Sequence, residues 1–253
     1  MTRPVLVGLL SGALVVSLAG AAVQSADEVV EKHLAAIGGR SALAKLTTRR
    51  ATGTVTITTP GGDVTGPIEI SAKAPNKARA HMRLDLTPLG LPETMMLEQK
   101  FDGTDGWMLN SVQGDTQITG NQLDNMRNNA FPSPLMAYKT GGATLELLPR
   151  ETLDGRELVV LRMTPKAGSA VTMLFDASTY LLARSRLTVV TAELGPLDQT
   201  VELSDYRDVG GIKLPFQVVN STPVQTVKMK FEKIEHNVPV DDAVFVVKLL
   251  PQP

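Results

Sequence analysis

Cysteine is absent from this 253-residue chain. That excludes disulfide staples, thiolate chemistry, cysteine metal sites and the lipidated cysteine of a bacterial lipoprotein. Histidine is nearly absent, with three residues, and none stands in a His-x-x-x-His or Glu-x-x-His pair, so a histidine metal site has little support. His33 reads as the polar side of a helix, His81 as the polar side of a strand and His236 as part of a turn, all three on the surface. No Gly-x-Ser-x-Gly elbow, phosphate-cradling loop or dinucleotide fingerprint occurs. Neither sign of charge dominates: 25 basic and 26 acidic residues give a net charge of −1. Such a surface has no global attraction for nucleic acid or anionic lipid. The short basic groups Arg49-Arg50 and Lys228/Lys230/Lys233 read as wet strand faces.

What is present begins with Arg3 followed by a small and apolar run from Val5 to Ala22, the layout of a secretory signal. Residues 1–25 are assigned to it, with cleavage between residues 21 and 26, where Ala19/Ala21, Gly20/Ala22 and Val23/Ser25 offer small-x-small pairs. A retained membrane anchor is the alternative, although the run is barely long enough to span. The expected location is the periplasm, or outside the cell, after signal removal. Residues 26–253 are expected to form one domain, long enough to bury a substantial core without staples. A division into two domains near Pro149 has no mark in the composition.

The mature part opens with a helical pattern. Ser25 and Glu28 form a capping box, Val30, Leu34 and Ile37 fall at helical spacing, and Gly38-Gly39 supplies the stop. From Val55 onward the period is two. The clearest strand is Lys77 to Leu86, with Ala78, Ala80, Met82, Leu84 and Leu86 on one side and Lys77, Arg79, His81, Arg83 and Asp85 on the other. Ten or eleven such strands are countable, with no α crossover between them, which excludes a doubly wound α/β fold. The β rhythm breaks between Asn121 and Tyr138: residues 121–129 fit a short helix, and Phe131 to Tyr138 is either a cover over the mouth of the sheet or a simple connector. The expected fold is therefore mainly β (α+β): one large curved antiparallel sheet forming an incomplete barrel, covered by the N-terminal helix and a short middle helical segment. Two sandwiched sheets remain the alternative.

Carboxylate pairs occur at Asp205/Asp208 and Asp241/Asp242, but in turn contexts where acidic residues are routine. No catalytic residue and no cofactor or metal ligand is assigned, and the chain is not expected to be an enzyme. Aromatic residues make up only 4%, whereas methionine is plentiful at ten residues. Methionine suits either an ordinary core or a surface that must fit irregular ligands. A curved sheet whose apolar face is incompletely covered can hold an acyl chain. Met82, Leu84, Met95, Leu97, Trp107, Met173 and Met229 are the cavity candidates, and Leu123, Met126 and Phe131 the lid or mouth candidates. For every one of them core packing is an equal alternative.

Several stretches carry a family likeness: Asp27 to Leu46, Phe101-Asp-Gly-Thr-Asp-Gly-Trp107, Phe175-Asp-Ala-Ser-Thr-Tyr-Leu-Leu182, Ser204 to Phe216 and Val238 to Phe245. In these the chain resembles the exported outer-membrane lipoprotein-sorting proteins, the LolA-like and LolB-like superfamily, particularly divergent members of the kind found in Acidobacteria. The resemblance implies an incomplete β-barrel with helices as a lid over a hydrophobic cavity that shields acyl chains. It implies a non-catalytic carrier or binder whose partners are an acylated lipoprotein or lipid and an envelope protein that delivers or receives it. Arg49 and Arg50 are possible counterparts, by position only, of the arginine that holds the lid of the classical carrier. The alternative is an envelope sensor or protein-interaction module with a fully packed sheet interior.

Overall fold

The computed structural model describes residues 25–91, 93–191 and 195–247; the stretch expected to be a secretory signal lies, apart from Ser25, outside them. Helix α1 (Ala26–Ala36) starts where the sequence dictates: the Ser25 hydroxyl accepts from the Glu28 N–H and the Glu28 carboxylate accepts from the Ser25 N–H. Val29, Val30 and Leu34 are fully buried on its inner side, at about 1.5–3 kcal/mol each. Gly38 has φ +129°, and a Cβ there would stand 2.6 Å from the Gly211 carbonyl oxygen, so only glycine lets the helix end settle this closely on the sheet. A single turn, α2 (Arg40–Leu43), then leads into the first strand.

Thirteen strands follow: β1 (Thr48–Thr59), β2 (Gly62–Lys73), β3 (Lys77–Asp85), β4 (Thr94–Phe101), β5 (Gly106–Asn110), β6 (Thr116–Ile118), β7 (Thr144–Leu153), β8 (Arg156–Thr164), β9 (Val171–Asp176), β10 (Leu182–Thr191), β11 (Gly195–Val209), β12 (Ile212–Ser221) and β13 (Thr226–His236). They form one antiparallel sheet in the order β6-β5-β4-β3-β2-β1-β13-β12-β11-β10-β9-β8-β7. This is the single curved sheet expected, with more strands than the ten or eleven countable from alternation; the three-residue β6 is too short to show a period. The end strands β6 and β7 do not pair, so the sheet stays open and "β-barrel" overstates its closure. Helix α3 (Gly120–Asn128) and the chain after it connect these two edges.

Register explains which side chains meet inside. Opposite Thr52 and Gly53, β13 carries a bulge, so Ile234 pairs with Ala51 and Phe231 with Gly53, and both large side chains are buried. A Cβ at Gly53 would lie 2.1 Å from the Lys230 carbonyl oxygen, so glycine is what permits the bulge.

Two inner clusters result. One joins α1, α2 and Leu135 to the inner sides of β8 and β9; the other joins Val55, Ile57, Val64, Ile68, Leu84, Phe216 and Phe231 across β1–β3 and β12–β13. The outer face of β2–β4 carries an ion network around buried Glu98, which accepts from Arg79 and lies 3.6 Å from Lys100 and 3.7 Å from His81.

The histidines depart from the surface reading. His33 is buried, its ring 4.9 Å from that of Phe175 and its Nδ1 donating to the Tyr180 carbonyl at 2.9 Å. His81 and His236 are half-buried. The apolar side of α1 is wider than the spacing of Val30, Leu34 and Ile37 suggests, and His33 falls within it.

Candidate ligand-binding cavity

Between the two inner clusters lies a cavity of about 620 Å³, inside the range of roughly 300–1,000 Å³ usual for small-molecule sites. Its floor is the inner row of β9–β13. Met173 stands opposite Ser185, and Ser185 opposite Val201; Leu203 stands opposite Val218, and Val218 opposite Met229. A register shift between Leu182 and Arg184 brings Leu182 onto the same face as Ser185 and Leu187, and all three line the space. Where large side chains would close it, β10 offers Ser185 and the neighbouring β1 offers Ala51. Leu187, Val201, Leu203, Val218 and Met229 are only half-buried although they point inward, since the volume before them is unfilled.

The cover comes from three places. Helix α1 contributes His33 and its C-cap Ile37, α3 contributes Asn125 and Asn128, and the following chain contributes Asn129, Pro132, Ser133 and Pro134. Helix α3 is held on the β8–β9 loop by amides: the Ser169 N–H donates to Asn125 Oδ1 at 2.7 Å and Asn128 Nδ2 donates to the Ala167 carbonyl at 2.7 Å. Its other side rests on β5, where Leu123 Cδ1 and Met126 Sδ lie 3.3 and 3.1 Å from the position a Gly106 Cβ would take.

Polar groups in the wall are few. The Tyr206 hydroxyl donates to the Leu182 carbonyl at 2.7 Å, and burial pushes its pKa far up, so it stays a neutral phenol. Burial likewise pushes the His33 pKa down, only partly opposed by the bond to Tyr180. Arg49 is the wall's unusual member. Rather than lying on a wet strand face, it points inward, with its guanidinium 5.4 Å from the centre of the Phe131 ring. Protein surrounds it, so burial lowers its pKa, yet part of its surface stays open to the cavity. No Asp or Glu side chain is among the lining residues.

Of the cavity candidates, Met173 and Met229 line this space. Leu84 is fully buried in the second cluster, and Met82 and Met95 pack against it. Leu97 shares the inner face through its pairing with Met82. Trp107 pairs with Lys100 and so belongs to the opposite, outer face. Among the lid candidates, Phe131 packs against the first cluster, while Leu123 and Met126 face β5 and leave the asparagines of α3 to meet the cavity. Sequence reasoning missed Leu187, Val201, Leu203 and Val218, whose alternation was visible but whose lack of opposing side chains was not.

The arrangement has little means for acid–base work. Asp205 pairs with Arg207 at 2.6 Å, Asp208 accepts from the Gly211 N–H, Asp241 caps a turn at Ala243, and Asp242 bridges Lys73 and Lys77. These are local structural roles. Among the described residues no three His, Asp or Glu side chains gather closely enough to hold a metal ion.

No family model matches the sequence, and no curated protein matches it. Solved structures do. A domain named for outer-membrane lipoprotein sorting, from Vibrio parahaemolyticus, superposes with a TM-score of 0.57 at 9% identity, over 87% of this chain and 95% of that one. A LolA superfamily protein from Nitrosomonas europaea gives 0.55 at 12% identity, over 88% and 98%. A DUF1329 family protein from Desulfovibrio piger gives 0.56 at 13% identity, over 87% and 97%. At these identities the likeness is one of fold: the chain folds as the LolA-superfamily structures do, over nearly their whole length.

Proposed function

We propose that the chain is a non-catalytic binder or carrier of acylated molecules, lipids or lipoproteins, exported to the periplasm or beyond by the signal at its N-terminus. The observation that carries this is the cavity of about 620 Å³ walled by half-buried Leu187, Val201, Leu203, Val218 and Met229. An acyl chain entering it removes its own surface and theirs from water, at about 0.8 kcal/mol per methylene. The lipoprotein-sorting name of the Vibrio structure supports acylated cargo by analogy of fold. The divergent, Acidobacteria-type affiliation belongs to the same proposal and rests on the Gly38-Gly39 passage from helix to strand.

Native mass spectrometry of protein purified from its periplasm, with organic extraction of what dissociates, tests the reading. Near-stoichiometric acyl species are the expected result. An unliganded mass that stays unchanged after incubation with phospholipids and a triacylated peptide overturns it in favour of an envelope sensor or protein-interaction module.

A further inference from the structure

Arg49 and Arg50 are adjacent in β1 and meet opposite fates. Alternation turns Arg50 outward, where its Nε lies 4.0 Å from the Glu69 carboxylate. The same alternation turns Arg49 inward, where it makes no hydrogen bond and no ion pair with any described residue. Its contact with the Phe131 ring uses one face of the guanidinium and leaves its five N–H donors without an acceptor among the described residues. A half-buried guanidinium with no acceptor beside it can be met only by water or by a ligand entering the open volume.

The surroundings sharpen the point. Directly opposite Arg49 on β13 stands His236, and both of its ring nitrogens are buried without a hydrogen-bond partner. Burial and the Arg49 charge hold this imidazole neutral, so it retains one donor N–H. No Asp or Glu side chain lines the space to offset the Arg49 charge. Arg49 thus brings positive charge and unused donors to one end of the space.

We infer that the ligand of this cavity is a single-chain amphiphile with an anionic head, a carboxylate or a phosphate monoester, whose head binds the Arg49 guanidinium inside the protein while its chain lies along β10–β12. This rests on the acyl-binding reading and narrows it. Both head groups present paired oxygens that a guanidinium engages with two parallel hydrogen bonds. A neutral glyceride of the same chain length would leave the guanidinium unpaired.

Calorimetric titration of the full mature chain with laurate, lauryl phosphate and monolaurin tests it. Wild type is expected to bind at least one of the two anions about tenfold or more tightly than monolaurin. Arg49→Met should abolish that preference by weakening the anions far more than monolaurin, and Arg49→Lys should restore part of it. A purely structural role for Arg49, holding Phe131 in place, would weaken all three ligands alike. The relative affinities of laurate and lauryl phosphate distinguish a carboxylate from a phosphate source. Equal wild-type affinity for anions and monolaurin overturns the anion inference and leaves the acyl reading standing; binding of none overturns both. The wild-type comparison decides even if Arg49→Met fails to fold.

Discussion

Two stretches of the same sheet follow the same alternating pattern and finish differently. In β1–β3 the inward side chains Val55, Ile57, Val64, Ile68 and Leu84 are each at most 8% exposed, filled against one another and against Phe216 and Phe231. In β10–β12 the inward Leu187, Val201, Leu203 and Val218 are half-buried and face a hollow. Period two tells which way a side chain points and is silent on what it meets. Whether an inward face becomes a core or a container depends on volumes arriving from elsewhere in the chain: here the cover brings asparagines and prolines, while the floor offers serine and alanine.

The largest test of this contrast is truncation. Leu84→Ala should cost about 2–5 kcal/mol in urea unfolding because it opens a void in a filled region. Leu203→Ala should cost half of that or less, since much of its side chain already faces open volume. Equal costs would mean that the hollow is collapsed in solution.

Enlargement reverses the order. Val64→Phe should destabilise by about 1–3 kcal/mol through overpacking. Val201→Phe should leave the melting temperature unchanged or raised while blocking acyl binding in the titrations above. Unfolding of the Val201 variant would break the comparison.

The smallest effect is a pH slope confined to the cavity side. His33 and His236 both have pKa values depressed by burial, so the unfolded chain binds their protons more readily than the folded one. Their contribution to stability is complete above the unfolded value of about 6.5 and is lost as pH falls from there through the folded values. The double variant His33→Gln/His236→Gln should therefore flatten the decline in melting temperature just below pH ~6.5; an unchanged decline would show that neither imidazole is responsible.

Much of the fold was written locally. The Ser25–Glu28 capping box is present as read. The two Phe-Asp turns, at Phe101-Asp102 and Phe175-Asp176, are one device used twice: a fully buried phenylalanine stands at or one residue before the end of the strand, and the next carboxylate accepts from backbone N–H groups two and three residues on. Such signals lie within a few residues of one another, so sequence shows them. The site was far less legible. Arg49 looked like half of an exposed basic pair because what surrounds it comes from His236 and Phe131, far along the chain. Trp107 drew attention through size and rarity, but strand register decides its face, and register is set by pairing with Lys100.

The unpaired edges β6 and β7 have a mechanical consequence. In a closed barrel, strand number and stagger fix the girth, and the interior has a set bore. Here no ladder of hydrogen bonds cinches the hoop, and its gap is spanned by α3, greasy at Leu123 and Met126 where it meets β5 and fastened by amides at Ser169 and Ala167. Water can replace those amide bonds at small net cost, whereas peeling the apolar side off β5 exposes surface. The span is therefore fastened differently at its two ends, by apolar packing on β5 and by exchangeable amide bonds at Ser169 and Ala167.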